Sequence, residues 1–231
     1  MKKIPITPPP EAFRSAEFIH EGFVRLTDSP FLKIEMQYPI LGMKNAEPLC
    51  FVRKQVGERL VAAAKLLPRG YRLKIMDAWR PFALQEELFF TYREKLITDF
   101  SLDKVSPEER DRVISGFVSL PVDDRDLPPV HTTGGAVDVT IIDPEDRDLP
   151  MGTAFDAFTH MTDTAFFEEK GDKQIRDDRR LLYSVMTSAG FTNLPTEWWH
   201  FDFGDRFWAY YKNSPAIYRG VFRREEIYEE A

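Results

Sequence analysis

A histidine and an aspartate seven residues apart are the first residues in this chain that could do chemistry together. His131 and Asp138 lie in the stretch HTTGGAVDVT, at 131–140, with Gly134 and Gly135 between them. Imidazole and carboxylate together suit zinc as ligands. A local hydrogen bond between the two side chains would explain the pair equally well, so the pair alone is a weak indication.

The residues around Asp138 predict a strand. Residues 136–142 read AVDVTII, a run rich in β-branched side chains. Side chains in a strand alternate between its two faces, so Asp138 shares a face with Ala136 and Thr140. The apolar run around it indicates that this strand lies in the core. An unpaired charge there would be costly, and a metal ion is one partner that would remove the cost.

A second cluster lies about sixty residues downstream, where residues 197–200 read EWWH. A glutamate three residues before a histidine can supply a general base and a zinc ligand together. The aromatic surroundings indicate a strand rather than a helix. We therefore place His200 in a strand and Glu197 in the loop before it. A solvated loop acid and a core histidine satisfied by a neighbour are the simpler alternatives.

Two further stretches place charged residues at element junctions. The stretch DAWRP, at 77–81, lies between a predicted strand at 71–75 and a predicted helix. Arg80 thus lies where a side chain can project into a cleft, although a surface salt bridge is an equally ordinary role for it. Asp156 ends the stretch MGTAFD, at 151–156, and Asp is also a favoured helix N-cap.

Taken in order, the motifs DAWRP, HTTGGAVDV, MGTAFD and EWWH resemble those of the zinc D-alanyl-D-alanine dipeptidases, the VanX-type enzymes. They bracket residues 77–203. Four residues match the family pattern S-x-H-x-x-G-x-A-x-D: His131, Gly134, Ala136 and Asp138. The serine position of this pattern is Pro129 here, so any substrate contact through that hydroxyl is not expected, whereas the metal ligands are unaffected.

The resemblance implies a zinc site, catalytic roles and a substrate. The implied ligands of one Zn²⁺ per chain are His131, Asp138 and His200. Three protein ligands leave the fourth position of zinc open for water, as in catalytic sites. Glu197 would be the general base toward that water, and Arg80 would stabilise the oxyanion. Asp156 would bind the ammonium of a D,D-dipeptide, and hydrolysis of D-alanyl-D-alanine would release D-alanine.

Two other functions fit the same residues. A D,D-carboxypeptidase or peptidoglycan endopeptidase would use the same metal site on longer substrates. A non-catalytic zinc-binding interaction module would keep only the ligands. Glu197 and Arg80 together argue against such a module, because a purely structural zinc needs neither of them.

Composition excludes several classes of partner. The net charge is −7 with no basic cluster, which argues against nucleic acid. No apolar stretch approaches the ~20 residues that cross a bilayer, and the N-terminus has no apolar segment typical of a signal peptide. The single cysteine, Cys50, cannot form an internal disulfide. These features predict a cytoplasmic protein and do not indicate an oligomeric state. The small-molecule substrate, a D,D-dipeptide, is what the resemblance implies. The resemblance connects the chain with cell-wall biogenesis or degradation, and the sequence does not decide between antibiotic resistance, dipeptide scavenging and wall recycling.

We expect one domain over residues 1–231, with an extended proline-rich arm at 1–15. Apolar periodicity and capping signals predict four helices, at about 53–67, 81–96, 106–117 and 176–189. Alternating helices and strands without a glycine fingerprint favour an α+β fold. The resemblance implies an antiparallel central sheet with flanking helices and a single zinc site in a cleft. Residues 38–42 could line that cleft, although a packing loop is the simpler expectation.

Overall fold

The structure is a computed structural model that describes residues 2–10, 15–169 and 171–229. The predicted proline-rich arm therefore lies partly outside the described residues. Its described part, at 2–10, forms no helix or strand, but Ile4 is buried and anchors the arm to the body of the protein.

The described residues form seven strands and seven α-helices. The strands are β1 (Phe23–Leu26), β2 (Leu32–Ile34), β3 (Cys50–Arg53), β4 (Arg72–Asp77), β5 (Ala136–Ile142), β6 (Thr192–Asn193) and β7 (His200–Asp202). The helices are α1 (Gln37–Ile40), α2 (Lys54–Ala64), α3 (Phe82–Asp99), α4 (Pro107–Ser115), α5 (Lys173–Ser188), α6 (Arg206–Lys212) and α7 (Arg224–Glu229).

The main sheet has five strands in the order β2-β4-β5-β7-β6. The pairs β4–β5, β5–β7 and β7–β6 are antiparallel, whereas the edge strand β2 runs parallel to β4. β1 and β3 form a separate antiparallel pair. The predicted α+β class is thus confirmed, and the predicted antiparallel sheet carries one parallel edge strand.

β5 is the middle strand of the main sheet, and every one of its residues is buried. Such a strand is covered on both faces, which explains why its sequence is nearly all apolar or β-branched. α2 and α5 contact each other and contribute Leu60 and Met186 to the same hydrophobic core. Asp138 is therefore a carboxylate in a fully buried strand, and its neighbours determine its protonation state.

Helix termini follow the capping chemistry of the sequence. Ser106 caps α4 by accepting a hydrogen bond from the backbone N–H of Glu109, as its capping box predicts. α5 begins before residue 176, the predicted start, because the Asp172 side chain accepts hydrogen bonds from the N–H groups of Gln174 and Ile175. Gly190 follows α5 with φ +96°, a left-handed conformation that ends a helix at little cost in glycine.

The strand register brings three polar residues side by side at one end of the sheet. Asp77 of β4 pairs with Asp138 of β5, and Asp138 pairs with His200 of β7. An irregularity between Ile75 and Asp77 shifts the β4 register just before this point. The sheet thus assembles residues that are far apart in the sequence. No helix in the described part of the chain is long and apolar enough to cross a membrane.

Candidate metal centre and catalytic cleft

His131 reaches the end of the sheet from a single turn of 3₁₀-helix, Val130–Thr133, directly before β5. Gly134 ends this turn with φ +73°, and a Cβ there would collide with the ring of Phe23. Glycine is therefore required both by the backbone conformation and by the close packing. The turn sets His131 beside Asp138, only a few residues further along the chain.

Three donor atoms form a compact triangle. Nε2 of His131 lies 3.2 Å from Nδ1 of His200, which lies 3.0 Å from Oδ1 of Asp138. The third side, from Nε2 of His131 to Oδ1 of Asp138, measures 3.5 Å. Ligands of a tetrahedral zinc ion at its usual bond lengths are about 3.3 Å apart. The three residues are buried, and their spacing fits one metal ion.

The hydrogen bonds behind the imidazoles direct lone pairs into the triangle. Nδ1 of His131 donates to the carbonyl of Ala78 at 2.9 Å, which leaves Nε2 as an acceptor. Nε2 of His200 donates to Oδ1 of Asp202 at 2.8 Å, which leaves Nδ1 as an acceptor. Two lone pairs and a carboxylate that face each other repel unless a cation lies between them. The residues present therefore fit a zinc ion.

Charges within the triangle lower the pKa of Asp138 and raise the pKa of His200. Burial alone would raise the pKa of Asp138, but the facing His131 and His200 hold it below its ordinary value. Burial alone would lower the pKa of His200, but Asp202 and Asp138 raise it well above its ordinary value. In the metal-free protein a proton on His200 thus supplies the positive charge that the cluster requires.

Glu197 lies at the rim of this cluster. It precedes β7 in a turn, as predicted, and its Oε2 lies 3.8 Å from Nδ1 of His200. Its side chain is one quarter exposed, so it is not a fully solvated loop acid. Burial, with the negative charges of Asp138 and Asp156, raises the pKa of Glu197 to about 8. A carboxyl group with a pKa near neutrality is suited to accept and return a proton.

Arg80 lies at the junction of β4 and α3, as predicted, but is buried. Its Nε and Nη2 donate to Oδ2 of Asp77 at 3.0 and 2.8 Å, and its Nη1 donates to Oε1 of Gln85 at 2.7 Å. The alternative of a surface salt bridge is wrong. The guanidinium is held rigidly, with Nη2 at 4.0 Å from Oδ2 of Asp138, so its charge lies beside the triangle of donor atoms.

Asp156 is held by two tyrosines. The hydroxyl groups of Tyr38 and Tyr92 both donate to its Oδ2, at 2.7 and 2.8 Å. Burial, more than any neighbouring charge, raises the pKa of Asp156 to about 6. No helix begins directly after Asp156, so the N-cap alternative is wrong. The carboxylate instead faces the cleft in a left-handed conformation, φ +54°, which Asp tolerates better than most residues.

Sequence reasoning left one residue of this site open and missed two. Tyr38, in the stretch 38–42, both packs in the core and lines the cleft, where its hydroxyl also accepts a hydrogen bond from Nη2 of Arg80 at 3.3 Å. The spacing of Tyr92 from Leu88 and Leu96 predicts only a place on the apolar face of α3. Asp202 follows the EWWH motif as one polar residue among aromatics, and an isolated acid in a predicted strand was the only signal available for it.

These side chains surround a small cleft. A cavity of about 50 Å³ is lined by residues that include Tyr38, Arg80, His131, Asp138, Asp156, Glu197 and His200. Pro129, at the position where the resembling family has serine, also lines it. A larger cavity of about 380 Å³, with aromatic walls that include Phe117 and Phe158, shares Asp156 and Glu197 with the cleft.

Comparisons with known proteins agree with these observations. A family model described as D-ala-D-ala dipeptidase, peptidase M15, matches residues 36–217. A D-alanyl-D-alanine dipeptidase of Synechocystis is 28% identical over 208 residues, which are 84% of this chain and 83% of that protein. One from Escherichia coli is 36% identical over 72 residues, 31% of this chain and 36% of that protein. One from Enterococcus faecium is 27% identical over 158 residues, 64% of this chain and 70% of that protein.

Proposed function

The chain belongs to the D-alanyl-D-alanine dipeptidase family of M15 peptidases, and from this premise we propose that it hydrolyses D-alanyl-D-alanine to free D-alanine. One observation carries the proposal: the triangle formed by His131, Asp138 and His200 has Glu197 at its rim. Ligands alone would suffice for a structural metal. A carboxyl group with a raised pKa beside them is what hydrolysis needs. We propose that the whole chain serves as one catalytic domain.

We propose that the triangle holds one Zn²⁺. Two neutral imidazoles and one carboxylate are a ligand set typical of zinc, and three protein ligands are typical of catalytic rather than structural sites. When bound, the ion supplies Lewis acidity toward the substrate carbonyl and the attacking water. The buried site keeps that charge away from bulk solvent, where it would be screened.

Glu197 and Arg80 act on the reacting groups. Glu197 accepts a proton from the attacking water and passes it to the leaving amine, which its position at the rim of the triangle supports. Arg80 stabilises the negative charge that develops on the carbonyl oxygen. Its hydrogen bonds to Asp77 and Gln85 fix the guanidinium in advance, so little reorganisation is needed when the charge develops.

Asp156 binds the free ammonium of the dipeptide. Both tyrosines donate to Oδ2, so Oδ1 is the oxygen that carries no tyrosine hydrogen bond. A carboxylate fixed in this way forms a charge-assisted hydrogen bond with an ammonium without first losing conformational freedom.

The test is release of D-alanine by purified protein loaded with one equivalent of Zn²⁺. D-alanyl-D-alanine should be cleaved, L-alanyl-L-alanine should not, and the metal-free protein should be inactive. Free alanine is separated from the dipeptide and measured by chromatography, which detects the L- and D-amino acids alike. Release no faster from the zinc-loaded protein than from the metal-free protein would overturn the proposal.

A D,D-carboxypeptidase is the second candidate, and the adjoining cavity of about 380 Å³ favours it. This cavity begins at Asp156 and Glu197, and a longer peptide could extend into it. N-acetyl-D-alanyl-D-alanine separates the two candidates, because acetylation removes the ammonium charge and keeps the scissile bond. A dipeptidase should prefer the free dipeptide, whereas equal or faster cleavage of the acetylated form would establish the carboxypeptidase.

A further inference from the structure

Asp202 contacts a proposed metal ligand and has no role in the mechanism above. Its side chain is 0% exposed, and its Oδ1 accepts a hydrogen bond from Nε2 of His200 at 2.8 Å. The two residues are separated by one position on β7, so their side chains lie on the same face of the strand. The contact is made at the back of the imidazole, opposite the nitrogen that faces His131 and Asp138.

The backbone around Asp202 is held on both sides. β7 lies between β5 and β6, where Asp202 pairs with Ala136 on one side and Thr192 on the other. Asp205, shortly after the strand, caps α6 by accepting hydrogen bonds from the N–H groups of Phe207 and Trp208. The carboxylate of Asp202 therefore rests on a fixed strand, and it can fix in turn the ring that it contacts.

The charge of the centre also calls for this carboxylate. Two neutral imidazoles and the Asp138 carboxylate carry one negative charge, so a divalent cation would leave one net positive charge in a buried site. Asp77 does not offset it, because that carboxylate is paired with Arg80. Asp202 supplies the second negative charge directly behind His200. The centre with its metal is then close to neutral, which lowers the cost of its burial.

We propose that Asp202 is a positioning residue for the metal centre: it holds His200 with Nδ1 directed at the ion and strengthens metal binding. This inference rests on the metal centre proposed above. A carboxylate behind a ligating imidazole fixes the tautomer and orientation of the ring and increases its basicity. His131 is supported differently, by the carbonyl of Ala78, so Asp202 acts on the centre through His200.

The test is the zinc affinity of variants, measured by competition with a chromophoric chelator. Asp202→Ala should raise the Kd for Zn²⁺ roughly 10- to 100-fold. Asp202→Asn keeps an acceptor oxygen but loses the charge, so its Kd should lie between those of the wild type and Asp202→Ala. Asp143→Ala is the matched control, because Asp143 is also a buried acid but contacts the loop at 145–147 instead of the metal ligands.

Cobalt(II) adds a readout that a purely structural role would not change. Replacing zinc by cobalt gives a visible absorption spectrum that reports ligand geometry, and Asp202→Ala should alter it while Asp143→Ala should not. A folded Asp202→Ala variant with an unchanged Kd would overturn the inference, even if its melting temperature fell. If that variant does not fold, Asp202→Asn decides, and a wild-type Kd for it overturns the inference. A wild-type protein that binds no zinc would overturn the metal centre itself.

Discussion

At the scale of single residues, the cleft contains three buried or half-buried carboxyl groups whose neighbours set different protonation states. Burial alone would raise the pKa of each one, but Asp138 faces two imidazoles that hold its pKa below its ordinary value. The groups around Glu197 and Asp156 do not offset the effect of burial, and the pKa values of these two residues rise to about 8 and about 6. A permanently ionised carboxylate suits a metal ligand, and one near neutrality suits proton transfer. The environments thus separate the proposed roles of Asp138 and Glu197.

The proton-transfer role predicts the effect of Glu197→Gln. The amide cannot accept a proton from water, so kcat for D-alanyl-D-alanine should fall about a hundred- to ten-thousand-fold. Zinc content should stay at the wild-type value, because Glu197 is not among the three grouped ligands. The melting temperature at neutral pH should not fall, because the amide removes a carboxyl group whose pKa burial raises. Glu145→Gln, a change at an exposed loop acid, is the control. Near-normal turnover of Glu197→Gln would show that another group is the base.

The ammonium-binding role predicts a different change for Asp156→Asn. Loss of a charge-assisted hydrogen bond, worth roughly 1.5 to 3 kcal/mol, should lower kcat/KM for D-alanyl-D-alanine about ten- to a hundred-fold. The variant should also show a smaller difference in kcat/KM between the free and the N-acetylated dipeptide than the wild type does. The measurement is kcat/KM for both substrates in both proteins, with exposed Asp123→Asn as the control. Wild-type discrimination in Asp156→Asn would mean that another group binds the ammonium.

At the scale of elements, the segments with strong local signals were predictable. β5 lies where its β-branched run predicts it, at Ala136–Ile142. α4 begins at its capping box, and α2, at Lys54–Ala64, lies within the predicted 53–67. Each of these three elements is specified by the periodicity or capping residues of one short stretch of sequence, so no contact with a distant segment is needed to predict it. α5 begins at Lys173, three residues before its predicted start, because Asp172 serves as its N-cap.

The remaining features depend on contacts between distant segments. The parallel pairing of β2 with β4 has no signature within either strand. Tyr38 reaches Asp156 across 118 positions of sequence, so its hydroxyl looked like that of any packing residue. The motifs could therefore group His131, Asp138 and His200, but the tyrosines and Asp202 around them are set by tertiary packing.

α5 offers a prediction at this scale, because one of its acids is stabilised in the protonated form. Burial first, and then the charges of Asp177 and Asp172, raise the pKa of Asp178 to about 6. The folded pKa exceeds the unfolded one, so stability falls as pH rises from about 4 to about 6 and stays lower above that range. Asp178→Asn should therefore raise the melting temperature more at about pH 7.5 than at about pH 4.

The neighbouring residue gives the opposite expectation and is the control for this prediction. Lys173 donates a hydrogen bond to Asp177 at 3.0 Å, which lowers the pKa of Asp177 below its ordinary value. The paired carboxylate therefore contributes stability above its unfolded pKa. Asp177→Asn removes this contribution but also removes a charge that raises the pKa of Asp178, so it should change the melting temperature at about pH 7.5 less than Asp178→Asn does. Equal shifts for Asp178→Asn at both pH values would show that its burial does not act through ionisation.

At the scale of the whole molecule, the proposed metal centre joins segments that only the complete fold brings together. His131 comes from the turn before β5, Asp138 from β5 and His200 from β7. Residues 138 and 200 are cross-strand partners, so the pairing of β5 with β7 must form before the triangle exists. An unfolded chain cannot hold the same three donors at this spacing, and metal binding is therefore coupled to folding.

This coupling predicts that metal removal destabilises the protein. A ligand that binds only the folded state stabilises it by about 2.7 kcal/mol at a free concentration one hundred times its Kd. For a chain of this length, 1 kcal/mol shifts the melting temperature by about 2 to 4 °C. Chelation of Zn²⁺ from such a sample should thus lower the melting temperature by roughly 5 to 11 °C, measured by calorimetry. His200→Ala lacks one donor of the triangle, so zinc should not produce this shift in it. If zinc raises the melting temperature of His200→Ala as much as that of the wild type, the stabilising ion binds elsewhere.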